Sequence, residues 1–311
     1  MSIVVFGSIN MDLVARAAHL PQPGETLIGH SFATTPGGKG ANQAVACVRM
    51  GVPTRMVGRV GCDVFGDALL KNLEVNNIDY SYVIRAPQSS SGVALIEVND
   101  QGENHIIVIP GANGKIDAAD LARLDEALAG ARILLLQLEI PLKIVSAAAD
   151  MAHRRGIRVI LDPAPACQLP DALGANVDIL TPNKSEASVL VGFPVTDRAS
   201  IEAAAQVLLG RGFRHVIIKL GGQGVYTAVM GKGHFVPAIS VPVVDTVAAG
   251  DAFNATLAAA LYEAKPLNQA IEWGLAGGAL AVTKVGAQEA MPSRDAVLKL
   301  LSQTKKMKIQ E

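Results

Sequence analysis

Short, unbroken apolar runs alternate with amphipathic or alanine-rich stretches along most of the chain. Ile3 to Ile9, Thr54 to Val60, Ile133 to Leu138, Val159 to Leu161, Ile179 to Thr181 and Val216 to Leu220 predict buried strands. Between them, apolar spacing predicts helices over Ala41 to Met50, Phe65 to Val75, Leu142 to Arg155 and Ile201 to Gly210. Strands that are apolar at every position are covered on both faces. Alternated with helices, they predict a mostly parallel central sheet in a three-layer α/β sandwich. Two segments break the rhythm. Residues 12–35 read as strand, Pro-Gly turn and strand, and residues 92–109 as a hairpin around Asn99 to Asn104. Neither carries a crossover helix, so segments of about 12–36 and 91–111 are expected to form a small β-sheet lid. That lid is inserted in a single domain spanning 1–311. It could close on a substrate or serve as an oligomer contact. The tail after Leu301 is expected to fray.

Composition narrows the partners. Among 311 residues the formal net charge is −1 and aromatics are 4%, which leaves neither a basic footprint nor a stacking surface for nucleic acid. Cys47, Cys62 and Cys167 are scattered and odd in number, without a CxxC pair, as in a reducing compartment. No HExxH or Cys/His cluster suggests zinc. There is no leader-like start and no apolar stretch near the roughly 20 residues of a membrane helix. A soluble cytoplasmic protein without membrane contact is expected.

Candidate chemistry collects at strand ends and helix starts. Small residues Ala248, Ala249 and Gly250 open a helix in front of Asp251. A helix start offers unpaired N–H groups to an anion, and a carboxylate beside it can take a proton from an attacking hydroxyl. An ordinary capping Asp fits the same residues. Gly37 to Gly40, with Lys39 and then Asn42, allows close backbone approach. It is neither a Walker A loop nor a dinucleotide fingerprint. Asn10 and Asp12, placed at the end of the first strand, lie on one side of an extended chain, where an ionised Asp suits two adjacent sugar hydroxyls and an Asx turn closing the strand fits equally. Glu139 follows another strand. Asn183 and Glu186 suit phosphate or hydrated Mg²⁺, or equally a plain helix cap. Lys219 to Gly224 ends a strand in a glycine turn that a hairpin to Val225–Ala228 explains without a ligand.

The order of these segments, together with Gly58-Arg-Val-Gly61, Asp63 and Gly66, resembles the ribokinase (PfkB-type) carbohydrate kinase family from about residue 3 to 303. The resemblance implies ATP-dependent phosphorylation of D-ribose at its 5-hydroxyl. Asp251 would be the base, and Ala248, Ala249, Gly250 and Asp251 the anion hole. It implies that Asn10, Asp12, Gly38, Lys39, Asn42 and Glu139 hold the sugar. Asn183, Lys219, Gly221, Gly222, Gly224, Gly250 and Leu275 would line the ATP site. Glu186 would organise Mg²⁺ through water. Asp245 and the Val247 carbonyl, with carbonyls near Ala281, Lys284, Gly286 and Ala290, would enclose K⁺. Lys219 stands where the family often has Thr, Leu275 where a polar residue is frequent, and Ala276-Gly-Gly278 is richer in glycine than usual. Other acceptors within the same chemistry are 2-deoxyribose, another small sugar or a nucleoside. Outside it stand a sugar-binding regulator and, more remotely, a nicotinamide dehydrogenase. Exposed lid edges would need cover, so a homodimer joined through lid strands is expected.

Overall fold

Ile3 and Val5 of the first strand, β1 (Ser2–Phe6), pack into one hydrophobic core, while Val4 and Phe6 pack into a second. The period of two thus divides a wholly buried strand between two layers of helices. The structure is a computed structural model that describes residues 1–310, with side chains as far as Thr304. The further strands are β2 (Asn10–Arg16), β3 (Ser31–Gly37), β4 (Thr54–Gly61), β5 (Asp79–Ala86), β6 (Gly92–Val98) and β7 (Asn104–Ile109). After these come β8 (Ala131–Leu136), β9 (Arg158–Leu161), β10 (Ile179–Leu180), β11 (His215–Lys219), β12 (Val225–Val229) and β13 (Lys232–Val236). The helices are α1 (Lys39–Arg49), α2 (Val64–Val75), α3 (Ala118–Ala127), α4 (Leu142–Arg154), α5 (Asp171–Gly174), α6 (Lys184–Val191), α7 (Arg198–Gly210), α8 (Ala249–Tyr262), α9 (Leu267–Ala281) and α10 (Arg294–Gln310).

A nine-stranded sheet runs in the order β13-β12-β11-β10-β9-β8-β1-β4-β5. It is parallel except at β11–β12 and β12–β13, where the hairpin expected after Lys219 turns back. Residues of α1, α2, α8, α9 and α10 enter one core and residues of α3, α4, α6 and α7 the other, which completes the three layers. The packing of α8 on α9 is close. A β-carbon on Gly274 would stand 2.8 Å from the Phe253 ring, and one on Gly277 would overlap Thr256. The glycine-rich stretch of α9 therefore fixes how deep α8 lies and where its first turn opens.

The two segments that break the rhythm are a single sheet, in the order β3-β2-β6-β7. Each forms an antiparallel pair, and a parallel pairing of β2 with β6 joins them, with Asn10 opposite Gly92. Two sequence expectations need correction. The strand expected over Ile3 to Ile9 ends at Phe6, because the Ser8 carbonyl accepts from the Ala41 N–H of α1 (3.0 Å) instead of continuing the ladder. Asn10 and Asp12 consequently open the lid strand β2 rather than close β1. The tail expected to fray continues as α10 to Gln310, and Glu311 lies outside the described residues.

Candidate active site

The start of α8 is built to leave donors free. Its N-cap is Ala248, held at φ 56 in the left-handed region with no side-chain cap. An alanine there gives up the stabilisation that Ser or Asp would supply, and a non-glycine residue at positive φ is strained. The N–H groups of Gly250 and Asp251 find no acceptor among the described residues. They open onto a cavity of about 580 Å³. Every residue expected at the nucleotide site lines it: Asn183, Lys219, Gly221, Gly222, Gly224, Gly250 and Leu275. Ala248, Ala249, Asp251, Glu186 and Lys39 line it too.

Asp251 is 3% exposed. Asn42 Nδ2 donates to its Oδ2 (3.1 Å) and Gln43 Nε2 to its Oδ1 (3.0 Å). Burial pushes its carboxyl up, Lys39 opposes that, and Asp162 adds to it; the net direction is upward. Among the described residues the Lys39 ammonium has no hydrogen-bond acceptor. Burial works against its charge, but Asp251, Asp162, Glu139 and Glu186 overcome this and hold it well above the usual lysine range. Lys219 Nζ donates to Asp162 Oδ1 (2.8 Å), and a β-carbon on Gly250 would stand 3.2 Å from that ammonium. The Asp162 carboxyl is pushed up by burial and pulled down further by Lys219 and Lys39.

The residues expected to hold a sugar adjoin this cavity on the lid side. Asn10 is buried, and Asn113 Nδ2 donates to its Oδ1 (2.7 Å). Gly38, at φ 87, is pressed so close that a β-carbon would lie 2.7 Å from the Asn10 nitrogen. Glu139 Oε2 accepts from the Lys39 N–H (3.1 Å) and from the Ser8 hydroxyl. Among the described residues the Asp12 carboxylate accepts no hydrogen bond. Burial, then Glu139, Asp251 and Glu289, push it up to about 7. Lys39, expected on the sugar side, lines the nucleotide-side cavity as well, and its N–H meets Glu139.

Several members of the site were missed in the sequence. Asp162 directly follows β9, so the rule that ligands gather beyond strand ends could have found it. Gln43 and Gln137 are fully buried, yet each reads as an ordinary polar position in the sequence. Asn113 comes from the turn after the lid, and no motif signals it.

The expected cation sites can be judged by their donors. Asn183 and Glu186 form a reciprocal capping box, so the ordinary helix-start reading is present. Glu186 nevertheless lines the cavity, where burial first and then Asp162 push its carboxyl up. Carboxylates outnumber ammonium groups around a space suited to a polyphosphate, and that imbalance fits a divalent cation with its waters. Asp245 Oδ1 accepts from the Val247 N–H and Oδ2 from the Gly286 N–H, each at 3.0 Å. One carboxylate thus ties together two loops that carry main-chain carbonyls, a hard oxygen donor set that fits a monovalent cation.

A parallel sheet, an uncapped helix start, a buried carboxylate at its mouth and a lid define an α/β enzyme of the phosphoryl-transfer class. The pfkB family carbohydrate kinase profile matches residues 1–294, and the chain belongs to that family. It is 40% identical over 301 residues to the ribokinase of Bacillus subtilis, covering 97% of this chain and 99% of the relative. It is 37% identical over 294 residues to the deoxyribokinase of Salmonella typhimurium, covering 94% of this chain and 96% of the relative. A solved structure of Arabidopsis thaliana ribokinase complexed with ribose and ATP superposes with a TM-score of 0.88 at 34% identity, over 96% of this chain and 98% of that one.

Proposed function

We propose that this enzyme transfers the terminal phosphoryl group of ATP to the 5-hydroxyl of D-ribose, giving ribose 5-phosphate and ADP. The observation that carries the reading is the position of Asp251. It lines the nucleotide-side cavity and is hydrogen-bonded to Asn42 on the lid side. In this reading Asp251 takes the hydroxyl proton. The freed oxygen bonds to the γ-phosphorus as the bond to the β–γ bridging oxygen breaks, and ADP leaves. The free N–H groups at the start of α8, with Lys219 and Lys39, offset charge on the transferred group.

Asn42 Oδ1, buried and without a partner among the described residues, is left as an acceptor for a sugar hydroxyl. Asn10, Asp12, Gly38 and Glu139 complete the sugar site. The nucleotide lies along Asn183, Lys219 to Gly224 and Leu275. Glu186 would hold Mg²⁺ through water, and the ion would supply charge neutralisation to the polyphosphate. Asp245 and the carbonyls of Val247, Ala281, Lys284, Gly286 and Ala290 would hold K⁺, which would supply stiffness to the loop before the anion hole.

The chain works as one kinase domain with the lid inserted. Three unpaired cysteines fit a cytoplasmic setting, and no described helix is long and apolar enough to cross a membrane. β3 and β7 leave open edges, and Phe32, Ile106 and Ile107 are 66%, 54% and 62% exposed, which supports a homodimer joined through lid strands. A monomeric mass by light scattering at micromolar concentration would count against that assembly.

The test of the activity is ADP release across D-ribose, 2-deoxyribose and nucleosides, with and without K⁺. Turnover favouring ribose supports the proposal. A preference for 2-deoxyribose would favour the runner-up, which the Salmonella relative motivates. Ribose binding without ADP release would point to a sugar-binding regulator.

A further inference from the structure

Asp251 and Asp162 belong to different halves of the site, one at the start of α8 and the other at the end of β9, yet a single amide joins them. Gln43 Nε2 donates to Asp251 Oδ1 (3.0 Å) and to Asp162 Oδ2 (3.2 Å). Its direction is settled by chemistry: two carboxylates can face only the NH₂ end of the side chain. The other end is also occupied, because Gln137 Nε2 donates to Gln43 Oε1 (2.7 Å). Gln137 reaches that position across Gly7, where any side chain would overlap it. Both glutamines are fully buried. Lys219 closes the series from the phosphate side through Asp162 Oδ1.

We propose that Gln43 is a positioning residue for phosphoryl transfer: its amide holds Asp251 at a fixed place relative to the Asp162–Lys219 pair. The inference rests on the kinase reading and deepens it. In-line transfer requires the oxygen that gives up its proton and the phosphorus it attacks to keep one separation. Asp251 governs the first and Lys219 stands beside the anion hole that receives the second, so a rigid link between Asp251 and the carboxylate partner of Lys219 preserves that separation. Gln43 is not among the residues that line the nucleotide-side cavity.

The link also bears on protonation. An N–H donor favours the ionised form of Asp251, against burial and Asp162. The other charged groups facing this centre are Lys39 on α1, Asp12 on β2, Glu139 after β8, Glu186 on α6 and Lys219 on β11.

The experiment compares wild type with Gln43→Leu and with the double variant Gln43→Leu/Gln137→Leu. The double variant replaces both partners by apolar groups and so avoids stranding the Gln137 donor. The expected result is a fall in kcat of about 10- to 100-fold. Ribose and non-hydrolysable ATP analogue would bind by calorimetry within about twofold of wild type, and the acid limb of the kcat–pH profile would move to higher pH. A merely structural glutamine would leave that limb in place. Folded variants with unchanged kcat and an unmoved limb, beside an active wild type, would overturn the proposal alone. A wild type that phosphorylates no sugar would overturn the kinase reading, and this proposal with it.

Discussion

Asn113 Nδ2 donates to Asn10 Oδ1 over 2.7 Å, and the same amide clasps the main chain of Ile9 on both sides, through N–H to Oδ1 (3.0 Å) and Nδ2 to O (3.2 Å). Asn113 stands in the turn that returns the chain from β7, and Gly92, the first residue of β6, leaves room for both amides. The lid therefore rejoins the core at a residue expected to bind sugar. Asn113→Ala should free the Asn10 side chain, raising the ribose dissociation constant while leaving that of ATP near its wild-type value. Loss of a buried donor should also cost about 1–3 kcal/mol of stability. Calorimetry and denaturant unfolding check the two parts separately.

Asp251→Asn preserves the shape of the base and removes its proton affinity. Turnover should fall by about 100- to 10,000-fold, the range for a lost general base. Ribose should still bind, because Asn42, Asn10 and Glu139 are untouched. Substantial turnover by this variant would show that the proton leaves by another route.

How much of this was readable beforehand follows from how local each feature is. The strands β1, β4 and β8 to β11 carry their own apolar runs, and the capping box of Asn183 and Glu186 lies within four consecutive positions, so these were legible, whereas the polar edge strands β5 and β13 were not. That the two segments form one lid was expected, but the register that joins them was not legible. It depends on β2 pairing in parallel with β6 across most of a hundred residues of chain, and no local pattern encodes a long-range register. Gln43 was equally hidden. A glutamine in a helical pattern reads as solvent-facing, and it is buried here because α1 packs against α8 and turns it toward two carboxylates.

The Asp12 carboxyl, pushed up to about 7 by burial and by Glu139, Asp251 and Glu289, gives opposite pH trends for folding and for sugar binding. In the unfolded chain it titrates at its ordinary value of 3.8. Between those two values the folded protein keeps a proton that the unfolded chain has lost. Its contribution to stability is therefore greatest below the lower value and declines as pH rises to the upper one. Asp12→Asn should raise the melting temperature most at about pH 8 and least at acid pH. Ribose hydroxyls donate best to the ionised carboxylate, so wild-type affinity should strengthen from about pH 6 to about pH 8. A flat wild-type profile across that interval would contradict this role for Asp12.

Lys219 and Asp162 should behave as a pair in folding and as individuals in function. The Asp162 carboxylate is almost fully buried and Lys219 largely so, with Nζ and Oδ1 2.8 Å apart. Lys219→Met leaves a buried carboxylate with Lys39, Gln43 and Asn254 as its remaining partners, and should destabilise the fold by up to about 3–5 kcal/mol. Adding Asp162→Asn removes the stranded charge and should restore much of that loss. It should not restore catalysis, because the ammonium beside Gly250 is still missing at the mouth of the anion hole. The pair of variants thus separates two uses of one lysine. Thermal unfolding should rank the double variant above the single, while kcat/KM for ATP should remain low in both. Recovery of kcat/KM together with stability would mean that Lys219 serves only to neutralise Asp162.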